Sequence, residues 1–332
     1  MARIVPEIRR DDFASFMKSP FRAMLTQTSN LLRRRGGGAA FLSRFGLLVL
    51  LGLGGLSCNR EQIYQVNGIV REVLPKSKQV KIEHEKIPNY MEAMTMTFDV
   101  KDDKEIAGLE PGDKVSFRMV VREKDGWIEQ VKKTGGSAPS APAPEPADIR
   151  PVREVEPLKV GDLMPDYHFT NELGQPVSLS DFKGQALAFT FIFTRCPFPT
   201  FCPRMSDNFE QVQKKLKTMT NAPANWHLLT ITFDPEFDTP AVLKSYAKRF
   251  GADPKHWNFA TGELIDITAI TEQFGLLFWK PNPQQPTGIS HNLRTVVLDA
   301  EGRVQKIFSE NTWKVDDLAE EIVRAGVGHA GR

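Results

Sequence analysis

The chain is poor in cysteine, with three residues in 332. That is too few for the disulfide framework that holds small secreted domains together. No phosphate-binding loop, serine triad or zinc signature occurs, so the sequence gives no support to nucleotide hydrolysis, triad-based acyl transfer or structural zinc. Charge of one sign is also lacking: 43 Lys/Arg stand against 41 Asp/Glu. Residues 1–57 hold nine of the basic and three of the acidic residues, leaving 34 against 38 in the remainder. Without a basic stripe, nucleic acid is not an expected partner. The acidic runs 101–105 and 314–321 read as solvated faces. Apolar and charged fractions are ordinary for globular protein, and the length suits two domains.

The surplus of positive charge has a local explanation. Arg33, Arg34, Arg35 and Arg44 precede the apolar run Phe45–Leu56, followed by Ser57 and Cys58. A positive region, a short apolar core and a small residue before cysteine read as an export signal, too short for a membrane span of ~20 residues. The polar residues 1–23 are unusual ahead of a signal, and Met24 is a candidate start. The ending resembles a bacterial lipoprotein signal, although Gly55 stands where leucine is usual. That resemblance implies acylation of Cys58 and a tether on the periplasmic side of a bacterial envelope. The other readings are an uncleaved N-terminal anchor and an ordinary cleaved signal.

Beyond a short tether at 58–63, residues 64–133 hold five short alternating segments. Tyr64–Val73, Gln79–His84, Thr95–Val100, Lys114–Val121 and Trp127–Lys132 read as strands, and five in so short a span suggest a small OB-like β-barrel. Residues 134–157 are rich in Pro, Ala and Ser and read as a semi-extended linker. Residues 158–326 alternate strands and helices, followed by a tail at 327–332. Here the apolar run Ala188–Phe193 precedes the cysteines, Thr239 and Pro240 open a helix reaching Arg249, and a hairpin at 293–308 leads to a final helix, Val315–Arg324. This order predicts an α/β mixed-sheet domain of thioredoxin-like architecture.

The other two cysteines, Cys196 and Cys202, sit at the exit of the apolar run, with Pro203 at an expected first helical position. Thiols on a strand-to-helix turn suit metal binding or sulfur redox chemistry. Buried structural cysteines or a structural disulfide are the plainer reading. Two thiols and an imidazole form a soft donor set for copper. His291, in the loop before the hairpin, is the candidate third ligand; capping or packing at the strand edge is its alternative. His168, His227 and His256 have no cysteine neighbour in sequence, and His329 lies in the tail.

Residues 158–325 resemble the Sco family, the SenC-type copper chaperones. The resemblance rests on the runs Val160–Asp166, Phe191–Pro197 and Thr232–Pro240, and on Ser290 with His291. It implies a thioredoxin-like fold, copper held by Cys196, Cys202 and His291, and a role in building the copper site of cytochrome oxidase. Asp234 is a candidate supporting residue, or a residue preceding a helix. Five residues separate the cysteines, where three are usual in that family, and Pro197 and Pro199 disfavour a regular helical turn between them. The loop must therefore fold back to bring the sulfurs together.

The barrel holds a second soft set. Met94 and Met96 alternate along one strand and share a face, while His84 ends the neighbouring strand. An imidazole and two thioethers suit Cu(I); methionines filling a barrel interior are the plainer reading. The segment resembles the CusF-like periplasmic copper-binding domain, which implies Cu(I) ligation by His84, Met94 and Met96. Met91 occupies the position of that family's capping tryptophan and is a candidate third thioether.

Together these features predict a membrane-tethered copper protein, a metallochaperone more than an enzyme. Copper, as Cu(I) or Cu(II), is the expected cofactor, and an oxidase subunit or other cuproprotein the expected partner. The barrel would capture Cu(I) and the linker would let it pass the ion to the second domain. A thiol-disulfide oxidoreductase using Cys196 and Cys202, or an envelope copper or redox sensor, are the alternatives.

Overall fold

The computed structural model describes residues 61–135, 155–280 and 288–326. Cys58, the export segment, most of the linker and His329 lie outside them. The described residues fall within one compact unit.

The first five strands are β1 (Gln62–Leu74), β2 (Gln79–His84), β3 (Met94–Asp99), β4 (Lys114–Val121) and β5 (Gly126–Gly135). They pair antiparallel in the order β3-β2-β1-β4-β5. The long β1 serves two neighbours: Gly68–Leu74 pairs with β2 and Gln62–Ile69 with β4. A register shift between Val70 and Glu72 bends it, as an extra residue in one strand does. Alternate residues Val80, Ile82, Phe98, Phe117, Met119 and Ile128 turn inward and are buried. Just past β3, Val100 meets Ile128 of β5 in a parallel bridge, bringing the two edges of the sheet together in an OB-like arrangement. Gly68 lies opposite His84, where a Cβ would stand 2.5 Å from Ile82 Cγ2, so a side chain there would force the strands apart.

The second sheet contains β6 (His168–Asn171), β7 (Pro176–Ser178), β8 (Ala186–Ile192), β9 (Trp226–Thr232), β10 (Trp257–Thr261), β13 (Arg294–Leu298) and β14 (Val304–Ser309). Its order is β14-β13-β8-β9-β10-β6-β7. The helices are α1 (Cys202–Thr218), α2 (Pro240–Arg249), α3 (Leu264–Gln273) and α4 (Val315–Gly326). Every residue of β8, β9 and β10 is buried, the pattern of central strands covered on both faces. The β8-α1-β9 crossover is parallel and the β13-β14 hairpin leads into α4, which makes the core thioredoxin-like. The short strand β10 was not foreseen. A two-stranded ribbon, β11 (Phe278–Trp279) with β12 (Ser290–His291), supplies the histidine.

Helix α1 begins at Cys202, one residue earlier than Pro203 suggested, so a thiol occupies its first position. Thr239 caps α2, accepting from the Val242 N–H. The small sheet rests directly on the cysteine end of the α/β domain. Arg204 of α1 pairs with Asp99 at 2.6 Å, and Gln79 donates to Asn311, which in turn donates to the Thr200 carbonyl at 2.7 Å.

Candidate metal centre

The buried strand β8 delivers the chain to Phe193, and the next eight residues cross to the N-terminus of α1. Within that crossing, Phe198, Pro199, Thr200 and Phe201 are buried, and the Phe201 N–H donates to the Phe198 carbonyl at 3.1 Å. The turn folds the loop back, as the prolines and the five-residue spacing require. Cys196, Cys202 and His291 come together so that their ligand atoms all lie within 4.8 Å of one another. Both thiols are free.

His291 Nδ1 donates to the Asn292 carbonyl at 2.9 Å, a group that can only accept. The lone pair therefore sits on Nε2, which faces Cys202 Sγ at 3.6 Å. Donors held ~2.0–2.3 Å from a first-row metal in a trigonal set stand ~3.5–4 Å apart, so this pair is at coordination spacing. Phe193, Phe201 and Phe233 pack round the imidazole with ring centroids 4.9 to 5.7 Å away. A dry aromatic shell of this kind limits water access.

The two thiols differ in character. Burial would raise the Cys196 thiol, but its hydrogen bond with Cys202 and its contact with His291 overcome that, holding it well below the ordinary range. Burial pushes Cys202 well up, reinforced by the Cys196 thiolate beside it. One sulfur is thus a ready nucleophile or ligand, and the other keeps its proton until an electrophile arrives.

Residues around the loop complete the arrangement. The buried Asp234 carboxylate pairs with Arg195 at 2.6 Å and Lys280 at 3.3 Å. Its side chain thus steadies the residue preceding Cys196 and caps no helix. Asp238 was missed. Its carboxylate accepts from the Thr194 N–H at 3.0 Å, from the Thr194 hydroxyl, and from the Thr232 hydroxyl at 2.5 Å. It thereby ties the cysteine loop to β9, although burial raises its own pKa against those bonds. The run Thr232–Pro240 holds three acids, and nothing in their spacing marks Asp238 as the one that reaches the cysteine loop. The other described histidines are engaged elsewhere: His168 with Ser178, His227 with Asn258 and His256 stacked on Trp226.

In the small sheet, His84 pairs directly with Met94, and Met96 pairs with Ile82 on the same face. Met91 is buried and bridges to Ile87 in the adjoining loop. His84 is 1% exposed, and its Nδ1 lies 2.7 Å from the Glu85 carbonyl. Its Nε2 is buried with no hydrogen-bond partner. Burial lowers the His84 pKa, with the Glu85 carbonyl opposing, so the ring is neutral and its free lone pair is available. An unpaired buried polar atom is expensive in a structural residue and natural in a ligand. Both histidines share one device: Nδ1 is held by the next residue's carbonyl, leaving the Nε2 lone pair free, facing Cys202 Sγ in His291 and without a hydrogen-bond partner in His84.

A family model described as SCO1/SenC matches residues 156–326, just over half the chain. The chain belongs to the SCO1/SenC family. A second model, copper binding periplasmic protein CusF, matches residues 63–133. The SCO1 protein homolog of Bacillus subtilis is 30% identical over 164 residues, covering 48% of this chain and 80% of the relative. The SCO2-like protein of Rickettsia felis is 29% identical, covering 46% and 70%. Among solved structures, a SCO1/SenC family lipoprotein from Bacillus anthracis is 29% identical with a TM-score of 0.44, covering 50% of this chain and 95% of that one.

Proposed function

We propose that this protein is a copper chaperone of the bacterial envelope, tethered to the membrane on the periplasmic side through lipidated Cys58 or its N-terminal segment. It serves the assembly of the copper site of cytochrome c oxidase. The observation that carries the reading is the convergence of half-buried Cys196 with buried Cys202 and His291, a soft donor set of the kind that selects copper. The family supports it: one relative of known structure is described as a member of the Sco family of cytochrome c oxidase assembly proteins. Copper is cargo here, and the chain needs no catalytic group.

On this reading the barrel, residues 64–133, captures Cu(I) through His84, Met94 and Met96, with Met91 as an additional thioether. Thioethers need no deprotonation, so capture is insensitive to pH above the His84 range. The Cys196 thiolate, with His291, receives the ion next, and Cys202 completes the set by releasing its proton. Strand β3, which carries both methionines, packs against β12, which carries His291, with Cα atoms within 8 Å. That adjacency supports a direct handover and leaves no distance for the linker, residues 134–157, to span during it.

The test is genetic. Deleting the gene should lower the copper content and activity of cytochrome oxidase, with restoration by the wild type and none by Cys196→Ala/Cys202→Ala. A second reading, thiol-disulfide exchange, is favoured by the unequal acidity of the two thiols. It predicts instead that the deletion leaves oxidase-subunit cysteines oxidised at normal copper supply, reversible by an added thiol reductant.

A further inference from the structure

The loop between the cysteines does more than join them. Phe198, the second of its five residues, is 2% exposed, and its ring packs against Phe201 of the loop itself and against the small sheet. Its ring meets Phe98 of β3 edge-on at 5.9 Å and lies against Gly126, where a Cβ would stand 3.5 Å away. The Tyr90 hydroxyl donates to the Pro197 carbonyl at 3.0 Å, and Asp99 holds Arg204 just beyond Cys202. A loop of sequence Pro-Phe-Pro-Thr-Phe would present a large apolar knob to solvent if nothing covered it, at a cost of roughly the burial energy of a Phe side chain. The barrel supplies that cover. The same Phe98 touches His84 at 5.7 Å, so one ring stands between the barrel's imidazole and the loop that carries the thiols.

We propose that the barrel is an intramolecular cap on the Cys196–Cys202–His291 centre and that the five-residue cysteine loop is its docking element. In the docked state the thiols are closed to large partners. A recipient protein gains access only when the barrel lifts, with Phe198 leaving Phe98 and the Tyr90 and Asp99 contacts breaking. The cap protects the thiols from adventitious partners whether or not metal is present, so it stands apart from the copper reading.

The test uses the full chain in mild detergent, reduced and metal-free. Cys196 is labelled with N-ethylmaleimide or with a polyethylene-glycol maleimide, and modification is followed at its own peptide by mass spectrometry. The ratio of the two rates removes any change in intrinsic thiol reactivity. The wild type should disfavour the large reagent by about tenfold more than Phe198→Asp or Asp99→Arg, each of which loses about one or two docking contacts. Pairing Asp99→Arg with Arg204→Asp should restore the wild-type ratio. Equal ratios in wild type and single variants, with circular dichroism unchanged, overturn the proposal, as does failure of the reversed pair to restore it. Cu(I) stoichiometry in the same variants reads the donor sets separately, so an unchanged stoichiometry with equal ratios sinks the cap alone.

Discussion

Replacing His84 by leucine separates a ligand from a packing residue, because the two roles predict opposite signs. In the metal-free protein His84 buries an Nε2 with no partner, which costs about 1–3 kcal/mol, while its Nδ1 bond to the Glu85 carbonyl returns about 0.5–1.5 kcal/mol. Leucine has a similar volume and no polar atom, so the ring contact with Phe98 is exchanged for aliphatic packing. The net expectation is a gain of about 1 kcal/mol, a rise in melting temperature of roughly 2–4 °C for a unit of this size. The metal term runs the other way. Free Cu(I) at a hundredfold its dissociation constant adds about 2.7 kcal/mol to a protein that binds it only when folded, and His84→Leu should lose that increment. The assay is thermal unfolding with and without buffered Cu(I), in a Cys196→Ala/Cys202→Ala background so that only the barrel responds. A variant that melts lower without metal and keeps its copper shift would show that His84 is a core histidine and that the reasoning from its orphaned nitrogen is wrong.

Three further outcomes follow from particular contacts. Burial depresses the His227 pKa to about 4 despite its bond with Asn258; the stability it lends is present above its ordinary value of 6.5 and lost as pH falls through about 4. The urea midpoint of the wild type should therefore drop more between neutral pH and pH near 5 than that of His227→Gln, and equal drops contradict this. Asp238→Ala removes the acceptor for one N–H and two hydroxyls at the cysteine loop and should cost about 3 kcal/mol. A loss under about 1 kcal/mol in urea unfolding would show the loop to be held by other means. Cys58→Ser should move the protein from the membrane to the soluble periplasmic fraction, whereas continued membrane association points to an uncleaved N-terminal anchor.

Much of this arrangement could be read from local pattern, because local physics fixed it. The apolar run before Cys196 had to be a covered strand, and Thr239 with Pro240 had to open a helix; both stand where the pattern put them. The alternation of Met94 and Met96 required a shared face, and the register with His84 provides it. Strand β10 escaped notice because Trp257–Thr261 is only five residues long and buries polar Asn258 and Thr261 along with its apolar residues, so its composition does not announce a covered strand. Asp238 and Phe198 were hidden for a different reason. Their partners, Thr194 for the one and Phe98 for the other, lie 44 and 100 positions away in sequence, and only the closed fold brings them into contact. The contact between barrel and cysteine loop belongs to the same class: a Pro/Ala-rich linker advertises separation, while the surfaces on either side of it carry a complementary knob and cover.

On the proposed function, one chain carries two soft-metal sites. The deciding experiment is a Cu(I) titration of the reduced protein against a competing chromophoric chelator, beside Cys196→Ala/Cys202→Ala and Met94→Ala/Met96→Ala forms. Two ions should bind the wild type and one each double variant, with the remaining site identified by the set left intact. A wild type that binds a single ion, or a cysteine variant that binds as many as the wild type, would contradict it.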